Sequence, residues 1–149
     1  MLTNALKELK IQLPEAPKPL ASYIPSKIEG NLLFISGQLP LKDGKLLSIG
    51  PLQNEKDIER GRIAMEQCFL NSLSAASSLI DIDKIKGVLK LTAFVASEES
   101  FTYQHLVANG ASDLAYKLFG ETGKHTRSAI GVTSLPLNAS VELEVIFTI

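Results

Sequence analysis

The sequence predicts a two-layer α+β domain, one sheet carrying both long helices on one face. Three observations support this. The elements run strand, strand, long helix, strand, helix, strand, strand, an order that places helices over a shared sheet. Two stretches, GVLKLTAFVA and VELEVIFT, alternate with the two-residue period of a strand. Ile58, Gly61, Met65, Phe69, Leu73, Ala76 and Ile80 recur at three- and four-residue steps, the period of a helix with one apolar stripe.

The elements follow in order. Asn4 to Leu13 reads as a short amphipathic helix, after which Pro14, Pro17 and Pro19 force an extended connector. Residues 1–19 thus stand as an N-terminal helix and Pro-rich connector, and residues 20–149 as the domain proper. Ser22 to Ile24 and Asn31 to Ser36 read as strands joined through a turn around Glu29 and Gly30. Lys42, Asp43 and Gly44 make another turn. Asn54 opens the longest helix. Gly87 to Ala96 is a strand whose Leu89, Leu91, Ala93 and Val95 oppose Val88, Lys90, Thr92 and Phe94. Ser97 is placed to cap the next helix, with Glu98 and Glu99 at its positive end. That helix carries Tyr103, Val107, Ala111, Leu114 and Leu118 on one stripe and stops at Gly120. Strands over Ser128 to Val132 and Val141 to Thr148, joined by LPLNAS, close the chain. The sheet face opposite the helices, with Val88, Thr92 and Phe94, is too apolar for water, so cover by other copies in a closed ring is expected.

Composition bounds the function. A chain of 149 residues with 15 basic and 16 acidic side chains, net charge −1 and 45% hydrophobic residues is an ordinary single globular domain. Its charge balance gives no electrostatic reason to expect nucleic acid or a membrane surface as partner. The segment MLTNALKELKIQLPEAP has lysines within its apolar pattern, so it reads as neither a signal peptide nor a spanning helix, and a cytoplasmic location is expected by default. The single cysteine, Cys68, excludes an internal disulfide and reads as a small buried hydrophobe on the apolar side of a helix, the alternative being a nucleophile.

Motifs narrow the chemistry mostly by absence. There is no GxGxxG, P-loop, nucleophile elbow or metal-spaced group of His and Cys, so neither a cofactor nor a metal is implied. His105 reads as a helix-surface residue, while His125, two before Arg127 in a loop, is a candidate for lining a site. Arg127 leads a run of small residues and Glu142 interrupts an alternating strand, positions where packing alone would favour Val or Thr.

The stretches SYIPSKIEGNLLFISGQLP and RSAIGVTSLPLNASVELEVI, with the element order between them, carry a resemblance. From about residue 20 onward the chain resembles the Rid family, the YjgF-like reactive intermediate deaminases also labelled endoribonuclease L-PSP, in a branch with the pattern HxRSAxGVxxLP. The resemblance implies a chorismate mutase-like domain, a mixed sheet with two helices packed on one face, assembled as a homotrimer with clefts between subunits. It implies hydrolysis of enamine and imine acids such as 2-aminoacrylate to a 2-keto acid and ammonia. Arg127 matches the arginine that grips the substrate carboxylate, a task suited to a planar, permanently charged fork. Its alternative is a structural ion pair with Glu142 or Glu144. Glu142 matches the residue that positions the attacking water, and Tyr23, Ser36 and Gln38 match cleft positions. Tyr23 could otherwise be a core aromatic, and Ser36 and Gln38 could simply satisfy a strand end. Asn109 lies one residue from the family's cleft asparagine.

Two departures stand out. Ala129 replaces a frequent cysteine and Gly131 a frequent glutamate, although backbone groups at Ala129 could still contact the substrate nitrogen and the water. The expected partners are therefore a small carboxylate or imino-acid ligand and further copies of the chain. A non-catalytic trimer that binds small carboxylates or acts as a regulator is the alternative. Endoribonuclease action ranks last, since no His pair or metal site offers acid–base chemistry.

Overall fold

The computed structural model describes residues 1–16 and 22–149. The first element, α1 (Leu2–Glu8), starts and ends earlier than its periodicity suggests. Lys10 takes a left-handed conformation (φ 55°), and the N–H groups of Lys10 and Ile11 return to the carbonyls of Lys7 (3.0 Å) and Leu6 (2.9 Å). This is a Schellman closure, which ends the helix before Leu13. Leu2 and Leu6 are buried in the same core as the rest of the chain. The Thr3 N–H donates to Asp83 Oδ1 (2.8 Å), and that bond, foremost, holds the Asp83 carboxyl below its usual range. Pro17 and Pro19, and the expected boundary at 19/20, lie outside the described residues.

The sheet begins later than the sequence suggests. Strand β1 is Ser26–Glu29, not Ser22–Ile24, and it pairs antiparallel with β2 (Leu32–Gln38) across a tight turn at Gly30 and Asn31. Pro25, lacking an N–H, precedes the ladder and only accepts, from Ser36 N–H (2.9 Å). The short hairpin β3 (Leu41–Lys42) and β4 (Lys45–Leu46) turns on Asp43 and Gly44, both at positive φ as a type I′ turn requires. Asn54 opens the next segment as expected, accepting from Lys56 N–H (3.1 Å), but a 3₁₀ turn precedes α2 (Ile58–Ser77), which ends short of Ile80. Strands β5 (Gly87–Ala96) and β7 (Val141–Thr148) match the pattern, and β6 (Thr126–Val132) starts two residues early.

The five main strands order β1-β2-β7-β5-β6, antiparallel except for the β5–β6 pair, so the sheet is mixed. Leu33, Ile35, Leu91, Ala93, Val95, Val141, Leu143, Val145 and Phe147 form its buried face, beneath α2 and α3 (Gln104–Phe119). A bulge at Leu89 changes one expectation. Val88 pairs with Phe147 and Lys90 with Ile146, so Leu89 is an extra residue that flips the earlier phase. Val88 therefore lies in the core (4% exposed) and Leu89 faces outward (41%). The open face still carries Phe34 and Ile130, each 40% exposed, beside half-covered Phe94 and Ile146.

Ser97 does not cap α3. Its N–H donates to Val132 O (3.0 Å) and its hydroxyl to Val95 O (3.2 Å), while Glu98 N–H donates to Leu52 O (2.9 Å), so the chain is held in the sheet past Ala96. Phe101 then inserts into the core and the helix begins only at Gln104. No helix among the described residues is long and apolar enough to cross a membrane.

Cys68 is fully buried on α2, and burial, foremost, pushes its thiol well above the usual range, so it stays neutral. Cys68→Ala is expected to preserve the site and lower stability by on the order of 1 kcal/mol, read as a shifted urea midpoint with unchanged slope.

Candidate functional site

Arg127 lies on the edge strand β6 in register with Leu91, hence on the helix-facing side of the sheet. Its side chain runs along α3. Nη1 donates to Asn109 Oδ1 (2.8 Å) and Ser112 Oγ (3.0 Å), and Nη2 to the His105 carbonyl (3.3 Å). All three acceptors are neutral, so Arg127 is no structural ion pair with Glu142 or Glu144. Its Nε–H and one Nη2 hydrogen have no acceptor among the described residues, which leaves a fixed, exposed cation with two donors to spare. His105, Asn109 and Ser112 follow one another at four and three residues, the spacing of one helix face. That polar stripe is the signal by which Ser112, absent from the sequence-based candidates, could have been found.

His125 sits behind the arginine. Its Nδ1 lies 2.7 Å from the Gly123 carbonyl and its Nε2 2.9 Å from Ser112 Oγ, so both ring nitrogens are engaged. Ala129 and Gly131 follow Arg127 along the same side of β6, partnered by Ala93 and Val95. A Cβ on Gly131 would lie 2.7 Å from Gln104 Nε2, whose amide donates to the Phe101 carbonyl (2.6 Å). Gln104 thus occupies the space a larger residue at position 131 would need.

Glu142 pairs with Phe94 and so faces the open side of the sheet. Opposite Glu144, β2 carries two residues, Ser36 and Gly37, against one, a bulge between the pairs Ile35–Val145 and Gln38–Leu143. The Glu142 carboxylate reaches over Gly37, where any Cβ would overlap its Oε1. Glu142 is half-buried with no hydrogen-bond or ion-pair partner among the described residues. Partial desolvation, then the neighbouring Glu144 charge, raises its carboxyl above the usual range.

Of the other candidates, Ser36 lies at the bulge beside Glu142, whereas Gln38, in register with buried Leu143, is on the helix side of the sheet. Ser36 Oγ donates to the Ile24 carbonyl (2.6 Å), tying the Tyr23–Pro25 segment to β2, and Gln38 Nε2 folds back to the Ser36 carbonyl (2.9 Å). Tyr23 is 59% exposed, which removes the reading of a core aromatic. One chain therefore presents two half-sites: Arg127, Asn109, Ser112, His125 and Ala129 by the β6–α3 edge, and Glu142, Ser36 and Tyr23 on or beside the opposite face, with Gln38 left on the helix side. A single chain does not bring Arg127 and Glu142 together.

Comparison with known proteins bears on this arrangement. The family model described as "YjgF/chorismate mutase-like, putative endoribonuclease" matches residues 4–148. Protein TCP17 of Trypanosoma cruzi is 41% identical over 141 residues, covering 93% of this chain and 88% of TCP17. The crystal structure of Atu1372 from Agrobacterium tumefaciens, a protein of unknown function, superimposes with a TM-score of 0.90 at 44% identity, covering 99% of this chain and 92% of that one. A 2-iminobutanoate/2-iminopropanoate deaminase of Dermatophagoides farinae is 27% identical over 141 residues, 93% of this chain and 94% of its own.

Proposed function

The chain belongs to the YjgF/chorismate mutase-like Rid family, and from that premise we propose that it hydrolyses small enamine and imine acids of the 2-aminoacrylate type, giving a 2-keto acid and ammonia. The reading rests on one observation: Arg127 and Glu142 are charged groups without an ionic partner among the described residues, presented on opposite sides of one sheet. A second copy can complete the site by setting its open face against the β6 edge of the first. A closed ring, a homotrimer in the simplest form, would do this at every interface and would cover Phe34 and Ile130.

In such a cleft the Arg127 fork binds the substrate carboxylate. Asn109 holds the fork from behind, Tyr23 and Ser36 wall the pocket, and backbone at Ala129 meets the substrate nitrogen. An enamine first becomes its imine by moving a proton from nitrogen to the terminal carbon. Glu142 then takes a proton from water as the oxygen adds to the imine carbon. The nitrogen gains a proton, the carbinolamine collapses, and ammonia leaves as the carbonyl forms. A carboxylate raised above its ordinary range is a stronger base for this step. Ribonuclease chemistry has less support, because His125 commits both nitrogens internally.

The test is ammonia release from freshly generated 2-aminoacrylate, with the solution mass measured by light scattering. Trimer mass and release above buffer are expected. A monomer at micromolar concentration would remove the cleft, and a ring that binds pyruvate without releasing ammonia would be a carboxylate binder or regulator instead.

A further expectation concerns Gly37→Ala. The new methyl's nearest neighbours are all in the Glu142 side chain, its carboxylate end first, and that flexible side chain can swing away. Stability should change by less than about 1 kcal/mol, while ammonia release falls toward that of a Glu142 variant.

A further inference from the structure

We infer that Ser112 and His125 are positioning residues that hold the Arg127 fork in its anion-binding orientation. This rests on the reading of Arg127 as the carboxylate anchor, and it concerns groups that never touch the ligand. The Nδ1 contact sets the direction of the relay in the neutral imidazole. The Gly123 carbonyl can only accept, so His125 Nδ1 carries the ring hydrogen (2.7 Å). In the neutral ring Nε2 is then an acceptor, and Ser112 must donate its hydroxyl hydrogen to it (2.9 Å). With its hydrogen so used, Ser112 Oγ turns a lone pair to Arg127 Nη1 (3.0 Å).

The relay is anchored at both ends. Gly123 is buried at the close of the Gly120–Gly123 turn, packed against the end of α3, so the carbonyl that starts the relay belongs to a tightly packed turn. Asn109 supplies the second acceptor for Nη1, and with both Nη1 hydrogens engaged the guanidinium plane is set against α3. The remaining donors are Nε–H and one Nη2 hydrogen, enough for the two oxygens of a carboxylate. Without Ser112 and His125 the long arginine would sample other rotamers, and ligand binding would have to order it.

The experiment uses the full chain, with pyruvate as the titrant in calorimetry. Ser112→Ala and His125→Asn should each weaken binding about 10-fold. Asparagine can reach the Gly123 carbonyl but leaves Ser112 without its acceptor, whereas His125→Gln, which restores an acceptor near the Nε2 position, should bind within about 2-fold of wild type. In the wild type, ¹⁵N spectra of the imidazole should show the Nδ1–H tautomer, a readout that needs no variant to fold. Wild-type affinity in both Ser112→Ala and His125→Asn, or an Nε2–H tautomer, would overturn the positioning role while Arg127→Ala still abolished binding. Unchanged pyruvate affinity in Arg127→Ala, or no binding by the wild type at millimolar pyruvate, would overturn the anchor reading and this inference together.

Discussion

Arg127→Ala is expected to weaken pyruvate binding by about 100-fold or more while the chain stays folded. Two charge-assisted hydrogen bonds are lost, each worth roughly 1.5–3 kcal/mol, and allowing for an exposed site the sum is about 3 kcal/mol, or about two decades in Kd. Arg127→Lys should fail nearly as badly. An ammonium keeps the charge but cannot donate to Asn109, Ser112 and the His105 carbonyl while presenting two parallel donors outward. Stability should barely move, because the side chain is exposed and makes no ion pair with a described residue. Calorimetric titration beside a thermal melt decides the matter. A large drop in melting midpoint with intact pyruvate affinity would return Arg127 to a structural role.

Glu142→Gln is expected to separate chemistry from binding. Glutamine keeps the shape but cannot take a proton from water, so turnover should fall by about 10²–10⁴-fold with pyruvate affinity close to wild type. The same variant should also be more stable at neutral pH. Partial desolvation, with Glu144 second, raises the folded-state pKa of Glu142 above its unfolded value. The folded chain therefore favours the protonated form, and the stabilisation present below about pH 4.3 is lost as pH rises through the folded value. Urea unfolding across pH 4 to 8 should show the wild type falling relative to Glu142→Gln. A wild type that gains stability over that range relative to the variant would contradict the raised pKa. Under the proposed function, this carboxylate would trade stability for activity.

Arg127 and Glu142 were legible as candidates because a strand's two-residue period is strict. An arginine at the head of β6 and a glutamate inside β7 break patterns that packing would otherwise keep, and both proved to be on accessible surfaces. Ser112 escaped notice because the polar stripe it forms with His105 and Asn109 points to a site only once the strand carrying Arg127 is set beside it. His125 could be suspected from its closeness to Arg127, but its ring position depends on where the turn after α3 delivers the Gly123 carbonyl.

Local chemistry alone settled the helix α2, the strands β5 and β7, the turn at Asp43 and Gly44 and the stop at Gly120, because repeat period and turn preference are properties of neighbouring residues. Pairing between distant strands decided the rest. The extra residue at Leu89 moved Val88 into the core, and the bulge at Ser36 and Gly37 opened the space that Glu142 fills. Ladder bonds from Ser97 and Glu98 to Val132 and Leu52 delayed α3 to Gln104 against a local capping signal. The opposed placement of Arg127 and Glu142 is likewise tertiary. Each residue's side of the sheet follows from its own strand's register, and register is set only when β5, β6 and β7 meet over a shared core.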